Sequence, residues 1–328
     1  EINTLTTSQV SNLSTASIAA LSSSQFTQLS SSQIQALTTA QIGAITTDDI
    51  INLTTSQLSA LKTNQIAALT TAETVALTTG QIILLSSTQA ASLSTAATAA
   101  LTTDQVVALT TGNIAALTTA QIGSLTSAQI VALTTGQVAA LTTGQVSLLS
   151  SAQLASVEII DFQSLGTAQI QSLTSSQMAA LPTSDLVSMT TTQLAALKSN
   201  QIAALTSSET VALTTTQISL LSSAQVAAFA PSSIAALTTD QIVALTTLDV
   251  SALKTSQLVA LTMDQIGALE TGDVAALTTG QIIVLTTAQI PALRSDHIAA
   301  LKTAQVVALT TSQIPALTTD QIVALTTT

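Results

Sequence analysis

The sequence predicts an all-α solenoid, a superhelix of very short helices with one helix in each eight-residue repeat. Three observations predict it. An octad, plain in Leu133-Thr134-Thr135-Gly136-Gln137-Val138-Ala139-Ala140, runs from Leu5 to Leu325 without insertion or deletion, so 41 octads account for all 328 residues. Fixed short periods of this kind mark stacked arrays rather than ordinary globular domains. Within the octad, Thr-x-x-Gln matches a helix capping box, and the Leu before Thr with the Ile or Val after Gln completes a hydrophobic staple. Acidic residues such as Glu73, Asp104, Glu209, Asp240 and Asp264 fall where the first helical turn would lie, as the helix dipole prefers. The expected organisation is one continuous array over residues 1–328, processed or belonging to a longer chain.

Numbered from the Leu, position 1 departs from Leu only at Ile45, Val157, Met189 and Phe229, and position 6 is mostly Ile or Val, with Phe26 and Phe162 as the bulky exceptions. These two positions should form the core. Position 8 is dominated by Ala, with Leu84, Leu148, Leu220 and Val284 the larger aliphatic residues, which suggests a close backbone approach. Position 7 is mixed and reads as half-exposed, while Thr or Ser at position 3 should cap backbone groups. Every Asp and Glu lies at position 2, 4 or 5, and Lys62, Lys198, Lys254, Arg294 and Lys302 all lie at position 2. Charge is tolerated where water reaches it, so positions 2, 4 and 5 are expected to form the solvent edge. The basic residues should mark the ends of the preceding helices.

Some residues pull the other way. Pro231 suits a first helical position, but Pro291 and Pro315 occupy position 7, inside the expected helix, where proline removes a bond and strains the turn. Helices this short are marginal alone and must pack on their neighbours. Thr, Ile and Val also favour strands, so a β-solenoid is the alternative. With coils about 9–10 Å apart, two octads per coil would make a rod roughly 190 Å long and three a rod roughly 130 Å long.

Composition narrows the function. Hydrophobic residues make up 47% of the chain, yet aromatics are 1% and charged residues 6%, which allows a thin aliphatic core. Five basic residues against a net charge of −11 do not make a phosphate-binding face, so no nucleic-acid partner is expected. The chain has no cysteine, which excludes a disulfide framework and thiolate metal sites. A membrane-spanning helix needs about 18–20 apolar residues in a row; Thr, Ser and Gln interrupt every octad, and no membrane span is expected.

A longer repeat lies inside the short one. Residues 57–93 and 193–229 agree at 27 of 37 positions, including Lys62 with Lys198 and Glu73-Thr74-Val75 with Glu209-Thr210-Val211. Phe26 and Phe162 share the same offset of 136 residues. That offset is 17 octads, divisible by neither two nor three, so the pattern reads as a record of duplication rather than a paired site.

Candidate chemistry is sparse. His297, the single histidine, stands where Gln is usual, beside Asp296 and near Arg294, and reads as a surface substitution, because a triad or zinc site would need further partners. Asp48-Asp49, Asp161, Asp185, Asp249 and Asp273 lack calcium-loop spacing and read as first-turn acids. Gly80, Gly112, Gly136 and Gly144 sit in TTGQ and form no phosphate loop. Asn12-Leu13-Ser14 and Asn52-Leu53-Thr54 are glycosylation sequons in form. No catalytic, cofactor-binding or metal-binding residue is assigned, and no enzyme activity is expected.

LTTGQVAALTTGQVSLL at residues 133–149 and LTTAQIGSL at residues 117–125 resemble the LTTxQIxAL octapeptide tracts of very large bacterial secreted or surface proteins of the adhesin type. The resemblance covers essentially the whole chain and implies an extracellular stalk, filament or adhesin repeat region that self-associates or acts as a spacer. The alternative is a binding module whose Thr-rich face engages ice, glycan or mineral.

Overall fold

The computed structural model describes residues 1–325. These residues contain 38 α-helices of four to six residues, three 3-10 helices and no strand, as the capping pattern predicts. The structure divides into two compact units, Glu1–Leu165 and Gly166–Thr328. Each unit is an all-α solenoid built on the same octad.

Octad 133–140 shows how the sequence sets the local fold. Thr134 is extended, with φ −76° and ψ 157°, and its hydroxyl accepts the Gln137 N–H at 3.3 Å. The Gln137 Oε1 accepts the Thr134 N–H in return at 2.9 Å. Two otherwise orphaned donors of the helix start are thereby satisfied. The helix Thr135–Ala139 follows, and Leu133 and Val138, the two halves of the staple, are both buried. The N-cap is therefore position 2, not position 3, where Thr135 is exposed.

Each helix ends in an extended link. Leu37, for example, has φ −61° and ψ 136°, and Thr38 after it, at φ −74° and ψ 160°, is already the next N-cap. No described residue, glycine or otherwise, has positive φ. The chain turns each corner with two extended residues, and a left-handed glycine cap is not used.

Three octads complete one coil. Helix Thr7–Ser11 packs on Ser31–Ala36, Ser31–Ala36 packs on Thr55–Ala60, and the same 24-residue step recurs through both units. Positions 1 and 6 fill the interior, as expected, but position 5 joins them: Gln137 is 2% exposed, Gln201 0% and His297 0%. The expectation that position 5 belongs to the solvent edge is corrected. Water is not what satisfies this position; backbone groups are. Position 8 accommodates larger side chains by turning them outward, since Leu84, Leu148 and Leu220 there are exposed. The five basic residues are N-cap residues of the helices they precede, rather than last-turn residues favouring a helix C-terminus.

The two awkward prolines alter their octads locally. Elsewhere the position-7 N–H bonds to the position-3 carbonyl, as Gly43 does to Thr39 at 3.1 Å. Pro291 and Pro315 have no such donor, and both octads close with a 3-10 segment, Ile290–Ala292 and Ile314–Ala316. The Ile290 N–H still reaches Thr286 at 3.1 Å, so the helical path survives with one bond fewer.

Candidate functional site

The repeated polar element of the chain is the position-5 side chain. In Gln137 the Nε2 donates to the carbonyls of Val106 at 2.8 Å and Leu109 at 2.7 Å, 31 and 28 residues earlier. Gln41 does the same to Val10 and Leu13 at 2.9 and 2.8 Å, and Gln305 to Val274 and Leu277 at 3.0 and 2.7 Å. One amide thus caps its own helix with its oxygen and stitches to the coil below with its nitrogen. The stitched carbonyls are that of a closing helical turn, which also accepts the N–H three residues on (Leu109 to Val106 at 3.2 Å), and that of the extended Leu, which lacks a helical partner.

Substitutions at position 5 show what the stitch requires. Asn113, one methylene shorter, keeps a single carbonyl contact, to Leu85 at 3.1 Å. Ser233 reaches Leu205 at 3.0 Å. Glu73, Glu209, Asp249 and Asp273 keep the capping half and lose the donor. Thr70 N–H donates to Glu73 Oε2 at 2.6 Å, and burial pushes the Glu73 carboxyl above its usual range. Asp49 Oδ1 and Asp185 Oδ2 are buried without a hydrogen-bond partner. For Asp185 the cause is double, since its N-cap residue, Pro182, has no N–H to give. Burial raises the Asp185 carboxyl too, against a 3.2 Å bond from Ser184 Oγ.

His297 is a stitch in imidazole form, so its reading as a surface substitution is corrected. Its Nδ1 accepts the Arg294 N–H at 3.2 Å and its Nε2 lies 2.9 Å from the Leu269 carbonyl oxygen. The ring reproduces the acceptor and donor of glutamine when it is neutral with the proton on Nε2. Burial and the nearby Arg294 charge lower its proton affinity, opposed by Asp296 and Asp273.

The Arg294-Asp296-His297 grouping noticed in the sequence does come together. Arg294 Nη1 donates to the Gly267 carbonyl and, at 3.2 Å, to that of Leu269; its Nε and Nη2 hold Asp296 at 3.1 Å each. Thr271 Oγ1 adds a bond to Asp296 at 2.9 Å. Arg294 and Thr271 hold the Asp296 carboxyl well below the usual carboxylate range. The contacts to Gly267, Leu269 and Thr271 join one coil to the next, while the Arg294–Asp296 pair lies within its own octad. Asp249 is spent in the same way, accepting from Thr246 N–H at 3.0 Å and from Ser223 Oγ at 2.7 Å.

The structure places Asp48 and Asp49 in the first turn of Thr47–Ile51, and Asp161, Asp185, Asp249 and Asp273 in the first turns of their own helices. Among the described residues no three His, Cys, Asp or Glu side chains are grouped to hold a metal ion. No helix among them is long and apolar enough to cross a membrane. The stitch was missed in the sequence, although its signal is there: position 5 holds Gln through most octads while position 4 ranges over Thr, Ser, Gly, Ala, Asp and Asn.

The sequence model of the ALTTAQ repeat family matches residues 26–55, 50–87, 108–143, 178–215, 234–271, 266–303 and 298–327. The chain belongs to the ALTTAQ repeat family. The matched stretches lie in both units and cover well over half the sequence, so the Thr-rich octad that suggested a repeat tract is the family's own repeat. No curated protein matches the chain. In this chain's ALTTAQ repeats the first Thr is the helix cap and the Gln three residues on is the stitch.

Proposed function

We propose that this ALTTAQ array is a structural segment of an extracellular bacterial surface protein, serving as a spacer that associates side by side with further copies. The observation that carries this reading is the stitch itself. The commonest polar side chains of the octad are engaged in capping and in coil-to-coil bonds, which suits a chain selected to hold its own form. Exposed aliphatic residues at position 7, among them Ile83, Val107 and Val131, supply outward surface for association.

Sedimentation velocity across a wide concentration range tests self-association. A rising sedimentation coefficient is expected, and a strictly monomeric protein at the highest attainable concentration would remove that part of the proposal. Protease treatment of intact source cells tests the location. The array should be cleaved there, and full protection until lysis would overturn an extracellular placement.

A further inference from the structure

With three octads per coil, residues 24 apart occupy the same face. In the second unit, position 7 on one face reads Val187, Val211, Ala235, Val259, Ile283, Val307. The five larger residues are 39%, 41%, 43%, 48% and 79% exposed. The neighbouring face reads Ala179, Ala203, Ala227, Ser251, Ala275, Ala299 at the same position. Folding of a single octad gives no reason for this difference, because the position-7 side chain is not part of the cap (position 2), the staple (positions 1 and 6) or the stitch (position 5). The distinction is written at the period of the coil, and so belongs to a surface.

We propose that this Val and Ile ladder is where a second copy of the chain docks, with the two ladders antiparallel about a two-fold axis between Ala235 and Val259. The inference rests on the self-association reading and names its surface. Charge selects the occupant. The chain carries −11 overall, yet this face exposes no carboxylate, since its acids Asp185 and Glu209 are buried at position 5. Other faces of the unit carry Asp240, Asp264, Glu270, Asp296 and Asp320, and like charges resist pairing through them.

The register follows from the two lysines of the face. Full antiparallel overlap sets Val187 against Val307, Val211 against Ile283 and Ala235 against Val259. Lys302 then meets the octad of Pro182, and Lys254 meets that of Ala230, neither of which exposes a charge. Parallel pairing in register would set each lysine against its own copy. Six coils spaced about 8–10 Å apart, each showing about 9 Å of helix, make a strip of roughly 500 Å². Flanking Thr and Ser side chains bring it toward the roughly 800 Å² per partner of a standard interface, and an isologous contact of that kind closes on itself as a dimer.

The chain has no cysteine, so engineered thiols report unambiguously. Under mild oxidation the full chain carrying both Val187→Cys and Val307→Cys should form a disulfide-linked dimer, while either single variant should not. Linking of the single variants to themselves would show parallel pairing and overturn the proposal. In parallel, Val211→Lys, Val259→Lys and Ile283→Lys together should weaken association at least roughly tenfold, with the helical circular dichroism unchanged. The control triple Ala203→Lys, Ala227→Lys and Ala275→Lys, equal in charge, should not. Unchanged association of the ladder variant overturns this surface while leaving self-association standing; a monomeric parent protein overturns both.

Discussion

His297 and Leu269 stand one coil apart, joined by an imidazole nitrogen 2.9 Å from a carbonyl oxygen. The same ring accepts the Arg294 N–H through Nδ1, an acceptor that protonation would abolish. Its folded-state proton affinity is lowered, so below about pH 6.5 the unfolded chain takes up the proton first. Stability from this site is complete above that pH and is lost as pH falls toward the lowered value. Thermal melts at pH 7.5 and 5.5 should show a larger acid loss for the parent than for His297→Gln, which keeps both bonds without a titrating group. Equal losses would contradict the imidazole stitch.

Glu73 has the opposite sign. Its carboxyl is raised by burial, so the folded chain binds the proton more readily. The site gains stability as pH falls through the raised value and loses it as pH rises. Glu73→Gln supplies a permanent donor and should stabilise the first unit at pH 7 by about 1 kcal/mol, with the gain shrinking near pH 4. Urea midpoints at the two pH values measure both.

Gln137→Ala strands the Leu109 carbonyl and the Thr134 N–H and takes the second donor from the Val106 carbonyl, which keeps the Leu109 N–H at 3.2 Å. At about 1 kcal/mol or somewhat more for each of the two groups left unpaired, a cost of about 2–3 kcal/mol is expected in chemical denaturation. Gln137→Glu keeps the capping oxygen but faces two carbonyls without a donor. It should therefore be worse at pH 7 than at pH 4, an ordering that simple loss of packing would not produce.

Pro182→Thr addresses two defects together. It restores an N–H toward Asp185, whose Oδ2 has no partner, and adds a cap hydroxyl. The cap is worth about 1 kcal/mol and a bond to a charged acceptor about 1.5 kcal/mol or more. The rigidity lost with proline costs about 0.4–1 kcal/mol. A higher melting temperature is expected, and Pro182→Ala should recover less of it.

Pro315→Ala should turn the 3-10 segment Ile314–Ala316 into an α-helical turn by restoring the position-7 donor. Amide exchange would show a protected N–H at residue 315, bonded to Thr311; a fully exchanging one would mean that the neighbouring coil imposes the 3-10 form.

Much of the helix was legible from Thr134, Gln137, Leu133 and Val138, because caps and staples are local devices whose physics needs no distant partner. The burial of position 5 was not. Asp49, Glu73 and His297 there look like surface residues, since charge normally follows water; here the helix start and, for His297, a carbonyl from another coil stand in for solvent. The coil count was hidden for a different reason. Nothing within one octad distinguishes two per turn from three, and the 24-residue spacing of Val187, Val211, Val259, Ile283 and Val307 becomes meaningful once the stitch at 28 and 31 residues is known. The face ladder was in plain view at position 7, masked by averaging that position over all octads.

The reach of the stitch also sets an order of events. Each glutamine bonds to carbonyls 28 and 31 residues nearer the N-terminus, so an octad gives its stitch to octads made just before it and receives one from octads made just after it. A chain emerging N-terminus first, from a ribosome or through a pore, can lock each turn as the next four octads appear. Such short-range closure belongs to fast, local folding, and growth of the array adds length without delaying the part already out.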